Sequence, residues 1–310
     1  MTRKILASVI LAFAAGLGSL AQTPATELDG NVKLMVVSDL GRNGYYEQKP
    51  IAELMGKVAE AVGPDAILAL GDTHHYIGVG SVNDPLWMTN YELIYSHPEL
   101  QIEWHPLLGN HEYRGNTQAV IDYSAISRRW SMPSRYYPRI FDNDGTRVKV
   151  VFIDTTPIID KYHNDTAEYP DAFNQDVAEQ LKWIDSELNR DDNADWTIVV
   201  GHHPVYAQTA KQKSERLDMQ TKVDPILRKH KVDMYICGHI HNFQHIHKNG
   251  IDYVVNTSAS LSRPDVSDTD GTVFFDGATG FSLLTATKKN LTLSLIDRTG
   301  NTIHQVTRTK

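Results

Sequence analysis

Five apolar runs in this chain each stop at side chains that bind metal ions well, and that coupling restricts the fold more than any other feature. The runs are VKLMVVSD ending at Asp39, AILALGD at Asp72, WHPLLGN at Asn110, WTIVVGH at His202 and MYICGH at His239. Short continuous apolar runs of this kind fit strands buried on both faces. Helical patterns separate them: Ile51 to Val62, Ala119 to Trp130, Asp176 to Leu188 and Lys222 to His230. The third sets Val177, Leu181, Ile184 and Leu188 on one face at three- and four-residue spacing. Alternation of buried strands with helices predicts an α/β fold with covering helices. The polar clusters then lie at the carboxyl ends of strands, where open α/β sheets bind ligands.

The tail reads differently. Residues 252–256, 281–286, 291–296 and 303–307 are short β-rich runs with turns at Lys288-Lys289-Asn290 and Thr299-Gly300-Asn301, the signature of antiparallel strands. Two stacked mixed sheets accommodate both halves. The longest loops, 76–90, 156–173 and 261–279, are expected at the rim of a pocket.

The clusters themselves are Asp39-Leu40-Gly41, GDTHHY at 71–76, GNHE at 109–112, GHH at 201–203 and GHIH at 238–241. Hard carboxylate and amide oxygens alternate with imidazoles, a mixture that suits two adjacent cations better than one structural zinc. The alternating histidines of GHIH project to the same side of an extended segment, so each reaches a neighbouring ion. His74, His203, His245 and His247 stand beside these motifs as supporting or surface histidines, and His97, His105, His163, His230 and His304 carry no motif.

Residues 1–21 read as a secretory signal: Arg3 and Lys4 form a basic start, Ile5 to Leu17 an apolar stretch, and Ser19-Leu20-Ala21 a small-x-small cleavage site. The apolar stretch is glycine-broken and shorter than the ~20 residues of a spanning helix, so no membrane anchor is expected. A mature chain from Gln22 has 28 basic and 38 acidic residues, moving the formal charge from −8 to −10. Such an acidic balance disfavours nucleic acid as the main partner. A small anionic substrate remains compatible, since bound cations reverse the local field. The single cysteine, Cys237, excludes an intramolecular disulfide and reads as a buried strand thiol. Export to the periplasm or the medium follows as an expectation.

These motifs resemble those of the metallophosphatase (calcineurin-like phosphoesterase) superfamily, and within it the purple, or tartrate-resistant, acid phosphatases. GNHEYRGNTQAVIDYSAISRRWSMPSRYY at 109–137, GHHPVY at 201–206 and YICGHIHNFQ at 235–244 extend the likeness from about Val32 to the C-terminal strands. The resemblance implies one catalytic domain over 22–310, built as a four-layer αββα sandwich of two mixed sheets flanked by helices. It also implies two metal ions (iron, zinc or manganese), with Asp72 bridging, Asp39, His75 and His241 completing one site, and Asn110, His202 and His239 the other. The implied reaction is hydrolysis of a small phosphate monoester by metal-held hydroxide, with His111 protonating the leaving oxygen. A phosphodiesterase or nucleotide hydrolase on the same scaffold is the alternative, and a non-catalytic metal-binding exported protein a more distant one. Two departures stand out. His75 occupies the place of the family's tyrosine ligand, with Tyr76 one position later, which favours divalent ions over ferric iron. Residues 207–222 lack the further histidine of the mammalian-type enzymes, and Lys211 lies near its place.

Overall fold

The computed structural model describes residues 30–211, 213–265 and 268–310. The expected signal segment and cleavage after Ala21 lie outside these residues. Among the described residues no helix is long and apolar enough to cross a membrane.

All five apolar runs contain strands: β1 (Val32–Val37), β2 (Ala66–Ala69), β3 (Trp104–Pro106), β6 (Trp196–Val200) and β7 (Met234–Cys237). Between β3 and β6 runs a hairpin, β4 (Tyr137–Asn143) and β5 (Thr146–Phe152); after β7 come β8 (Phe243–Lys248), β9 (Ile251–Val255), β10 (Thr272–Asp276), β11 (Gly280–Ala286), β12 (Asn290–Asp297) and β13 (Thr302–Thr309). One six-stranded sheet has the order β13-β12-β11-β1-β2-β3, and one seven-stranded sheet the order β10-β8-β9-β7-β6-β5-β4. In the first, β1, β2 and β3 are parallel, with β11 antiparallel beside β1. In the second, β5, β6, β7 and β9 are parallel, with β4 and β8 antiparallel at the flanks. The tail strands β11 to β13 are antiparallel as their pattern predicts. The strand expected at 252–256 is β9, which pairs antiparallel with β8 on one side and parallel with β7 on the other, in the second sheet and not with β11 to β13.

Helices cover the outer faces. Helix α1 (Gln48–Val62) buries Ile51, Ala52, Met55, Ala59 and Val62 and stops at Gly63, whose left-handed φ of 63° terminates the helix. The expected helix at Ala119 to Trp130 is shorter: α2 (Thr117–Asp122) yields to a 3₁₀ turn at Tyr123–Ala125. Trp130 is taken into the core instead, where it bridges to Trp104, donates from Nε1 to the Val120 carbonyl at 2.9 Å and packs edge-on against Trp87 and Tyr91. Two short helices, α3 (Asp160–His163) and α4 (Pro170–Phe173), lie within the 156–173 loop. Helix α5 (Val177–Leu188) is capped by Asp176, whose carboxylate accepts the Glu179 amide at 2.9 Å, and its stripe seats Ile184 in the core. Beyond β6 lie α6 (Lys213–Asp218) and α7 (Asp224–Lys229), joined by a π-helical turn at Met219–Val223, so the helix expected at Lys222 to His230 is the last part of a longer helical run, with Pro225 in the first turn of α7. The two sheets and the helices that cover them share one continuous apolar core, in which Val32, Met35, Val150, Ile198 and Leu293 are all buried.

Candidate metal centre

The chain turns sharply where its parallel strands end, and those turns aim the polar side chains. Asp39 follows β1, Asp72 follows β2 and Asn110 follows β3, all in the first sheet; His202 follows β6, and His239 and His241 follow β7, in the second. The two sheets thus contribute from opposite sides to one focus. Asp39, Asp72, His239 and His241 have φ of 50°, 53°, 71° and 66°. Left-handed backbone at non-glycine residues costs about 1–3 kcal/mol each and clusters at functional sites. Glycines in the same motifs admit the neighbouring ligands. A Cβ on Gly109 would overlap Asp72 Oδ1, and one on Gly238 would lie 2.5 Å from Asp39 Oδ2.

Asp72 is central. Its Oδ1 accepts the His111 amide at 2.9 Å, while Oδ2 lies 3.1 Å from His202 Nε2, 3.5 Å from His75 Nε2 and 3.9 Å from His111 Nε2. Asp39 accepts the His239 amide on Oδ2 at 2.8 Å, and its Oδ1 lies 3.0 Å from His241 Nε2. Ligand atoms of Asp39, His75 and His241 come within 4.8 Å of one another, and so do those of Asp39, Asp72 and His202.

Each imidazole is tethered through one nitrogen, which fixes its tautomer and leaves the other nitrogen as a lone-pair donor. Nδ1 of His75, His202 and His241 donates to the carbonyls of Gly41 (3.2 Å), Leu70 (2.8 Å) and Leu261 (2.6 Å). His239 is reversed: Nε2 donates to Glu215 Oε2 at 3.0 Å, and Nδ1 is free. The atoms left buried with no hydrogen-bond partner include Asp39 Oδ1, His75 Nε2, Asn110 Oδ1, His202 Nε2 and His239 Nδ1. Orphaned buried polar atoms are costly. Five of them, on five of the residues singled out from the motifs, are what a pair of cations would satisfy.

Electrostatics agrees with this donor set. Burial alone would raise Asp72, but His202 and His111 outweigh it and hold the carboxylate well below its usual range. Burial pulls His202 down, yet Asp72 and Asp39 overcome it and push it up to about 9. His75 and His239 are held well below the ordinary histidine value, chiefly by burial. With no cation bound, His202 therefore holds a second proton on Nε2, toward Asp72, that a cation would displace, while His75 and His239 are neutral.

His111 sits at the mouth. Its Nδ1 donates to the Tyr76 carbonyl at 2.6 Å, its ring lies 4.3 Å from that of His75, and Nε2 faces Asp72. Tyr76 turns outward, 59 % exposed, with its ring against Arg42. Lys211 donates from Nζ to the His239 carbonyl; burial lowers its pKa to about 8.

Three participants lie outside the set read from the motifs. His203 is brought in beside His239, with ring centroids 4.3 Å apart, Nδ1 on Thr155 Oγ1 at 2.8 Å and Nε2 unpartnered. Glu112 accepts the amides of Asp72 and Gly109 at 2.8 Å and of His74 at 3.0 Å, clamping two ligand loops together. Glu215, on α6, orients His239. Glu112 and His203 had local signals, their places in GNHE and GHH, and Glu215 had none. By contrast His245 and His247 lie away from the focus, both on Asp252 Oδ1 at 3.0 and 2.6 Å, and His245 also meets His304.

The calcineurin-like phosphoesterase family model matches residues 32–243. Purple acid phosphatase 7 of Arabidopsis thaliana is 31 % identical over 91 % of this chain and 87 % of its own length. Tartrate-resistant acid phosphatase type 5 of Oryctolagus cuniculus is 32 % identical over 81 % of each chain. Among solved structures, GAP50, the anchor in the inner membrane complex of Plasmodium, superposes with a TM-score of 0.76 at 21 % identity, covering 90 % of this chain and 88 % of that one. The purple acid phosphatase PPD1 of yellow lupin (Lupinus luteus) seeds gives 0.63 at 16 %, covering 90 % and 53 %.

Proposed function

The chain belongs to the calcineurin-like phosphoesterases, and from that premise we propose that it is an exported hydrolase of small phosphate monoesters, of the acid phosphatase type. As a family member it is a metal-dependent phosphoester hydrolase with a dinuclear centre. One observation supports the finer assignment of ligands: buried donor atoms from both sheets converge with their hydrogen bonds left open toward a common point. Asp72, which lies between His75 and His202, would be shared by both ions. Asp39, His75 and His241 would hold one ion, and Asn110, His202 and His239 the other.

Two such cations, once bound, lower the pKa of water and offset charge on the phosphoryl oxygens. The chain's own part is positional. Glu112 fixes the Asp72 and Asn110 loops against each other, and backbone carbonyls lock three imidazoles. His111, with Nδ1 tied to Tyr76, presents Nε2 at the mouth, where it would protonate the departing ester oxygen. Export rests on the sequence of residues 1–21.

The decisive experiment compares purified protein before and after chelation and after reconstitution with iron, zinc or manganese. Its substrates are p-nitrophenyl phosphate and bis-p-nitrophenyl phosphate. The reading expects about two ions per chain and activity that returns with them, greater on the monoester. Greater activity on the diester would favour the phosphodiesterase alternative instead.

A further inference from the structure

Arg114 stands against the Nδ1 edge of His111, and as a cation without lone pairs it cannot ligate metal. The 3₁₀ turn Glu112–Arg114 puts it there. The Arg114 amide donates to the His111 carbonyl at 3.2 Å, and side chains three apart in such a turn lie one above the other. Its guanidinium is engaged on every nitrogen. Nε meets Glu168 Oε1 at 2.7 Å and the Tyr169 hydroxyl at 3.1 Å, and Nη2 donates to that hydroxyl at 2.7 Å. Nη1 is turned to the general acid: it lies 3.3 Å from His111 Nδ1 and donates to the Tyr76 carbonyl at 3.4 Å.

That carbonyl is the one that accepts the His111 Nδ1 proton at 2.6 Å. Its two lone pairs can serve both donors. Nδ1 cannot also accept from Arg114 while it donates, so the 3.3 Å approach is a packing contact against the edge of the ring. The acceptor belongs to an exposed stretch, with Tyr76 and Ile77 59 % and 67 % exposed, where water competes for it. Arg114 counters that competition from a fixed base. Tyr169 is only 3 % exposed, its amide donates to the Asp165 carbonyl at 2.9 Å, and its ring packs edge-on against Tyr162 with centroids 4.9 Å apart. The Arg114 Cζ lies 5.4 Å from the Tyr169 centroid. Glu168 is half exposed and adds little to this, as solvent-facing ion pairs do. A planar fork resting on a buried hydroxyl transmits position in a way that a flexible ammonium does not.

We propose that Arg114, fixed by Tyr169, is the positioning residue for His111. It holds the Tyr76 carbonyl and the imidazole in register, so that Nε2 stays aimed at the departing ester oxygen. The proposal rests on the phosphoester hydrolase reading above, with His111 as its acid.

Two measurements decide it, one of them without turnover. In zinc-loaded protein carrying isotope-labelled histidine, NMR follows the His111 Nδ1 proton, identified by its loss in His111→Ala. Arg114→Met should speed exchange of that proton with water roughly tenfold, the scale of one hydrogen bond. Tyr169→Phe should do so in part, and chelator competition should find both ions bound as tightly as in the parent chain. In turnover, Arg114→Met should lower kcat for glycerol phosphate about tenfold at unchanged KM and slow p-nitrophenyl phosphate much less. Arg114→Lys keeps the charge without the fork and should resemble Arg114→Met. In a His111→Ala background Arg114→Met should cost nothing further on glycerol phosphate, whereas a residue that merely braces the loop costs the same in both backgrounds. Unchanged proton exchange, equal losses on both substrates, a loss undiminished without His111, or weakened metal binding overturns the proposal. If the parent chain hydrolyses neither substrate, or if His111→Ala slows both equally, the hydrolase or the acid reading has failed, and proton exchange still decides whether Arg114 holds the ring.

Discussion

Glu215 offers the sharpest test of how this centre is held together. Its Oε2 takes the Nε2 proton of His239 at 3.0 Å, while Oε1 binds Lys161 Nζ at 2.7 Å and the Tyr162 hydroxyl at 3.1 Å. Burial pushes its carboxyl up, but His203 and Lys161 outweigh that and hold it below the usual range. An ionised Glu215 accepts only, so it forces the His239 proton onto Nε2 and keeps Nδ1 free. Carboxylates that orient a ligand histidine in this way typically contribute 10–100-fold in metal affinity. Glu215→Ala should therefore weaken one of the two ions by a factor in that range, about 1.4–2.7 kcal/mol, and leave the other nearly unchanged. Glu215→Gln retains an acceptor oxygen without the charge and should lose less. Competition against a chromophoric chelator measures both affinities, and thermal melts of the chelated variants check that the fold survives. If Glu215→Ala binds both ions as tightly as the parent chain, the tautomer argument is wrong and Glu215 serves only the Lys161 and Tyr162 contacts.

Four further outcomes are expected. Asp72→Ala should bind fewer than two ions and lose activity, because Oδ2 faces ligands of both sites; two equivalents by elemental analysis with full turnover would remove it as the bridge. With His75 in place of a tyrosine and Tyr76 turned outward, iron-loaded protein should lack an intense visible tyrosinate-to-iron band, and absorption spectroscopy settles this directly. His111→Ala should slow alkyl phosphates by ~10²–10⁴-fold and p-nitrophenyl phosphate much less, since p-nitrophenolate leaves without a proton; equal losses with depleted metal would instead make it a positioning residue. His105, buried in β3 against Phe141, has its pKa pulled down to about 4 by burial and Arg139. The unfolded chain takes up that proton first, so stability is whole above pH ~6.5 and falls by up to about 3 kcal/mol as pH drops to ~4. His105→Gln should flatten urea midpoints across that window, and an unchanged slope would refute the assignment.

What the sequence made legible is what chemistry writes locally. A buried parallel strand leaves a continuous apolar run, and Asp39, Asp72, Asn110, His202, His239 and His241 stand out as polar residues soon after one; their roles as ligands were implied by the family resemblance. Their convergence needed both sheets, since three arrive from one and three from the other. The α2 boundary was not legible, because Ala119 to Trp130 has helical periodicity until Trp130 is claimed by the core against Trp104, a partner far away in sequence. Nor was β9, where five buried residues alone do not say which sheet will pair with them. The β4–β5 hairpin was not singled out either, although Asp144 and Gly145, at φ 46° and 73°, form the kind of tight turn that an Asp-Gly pair favours.

The supporting residues divide the same way. Glu112 lies inside a motif, and its carboxylate can clamp the Asp72 and His74 amides only because those loops already meet there. Glu215 in KSERLD looks like any solvated helix charge; it becomes a buried partner of His239 once α6 docks beside Lys161 and Tyr162. Ligands that touch metal are constrained by bond chemistry and can be read from residue type. A residue such as Glu215, which orients one of them, is constrained by where distant elements dock, and only the folded chain displays it.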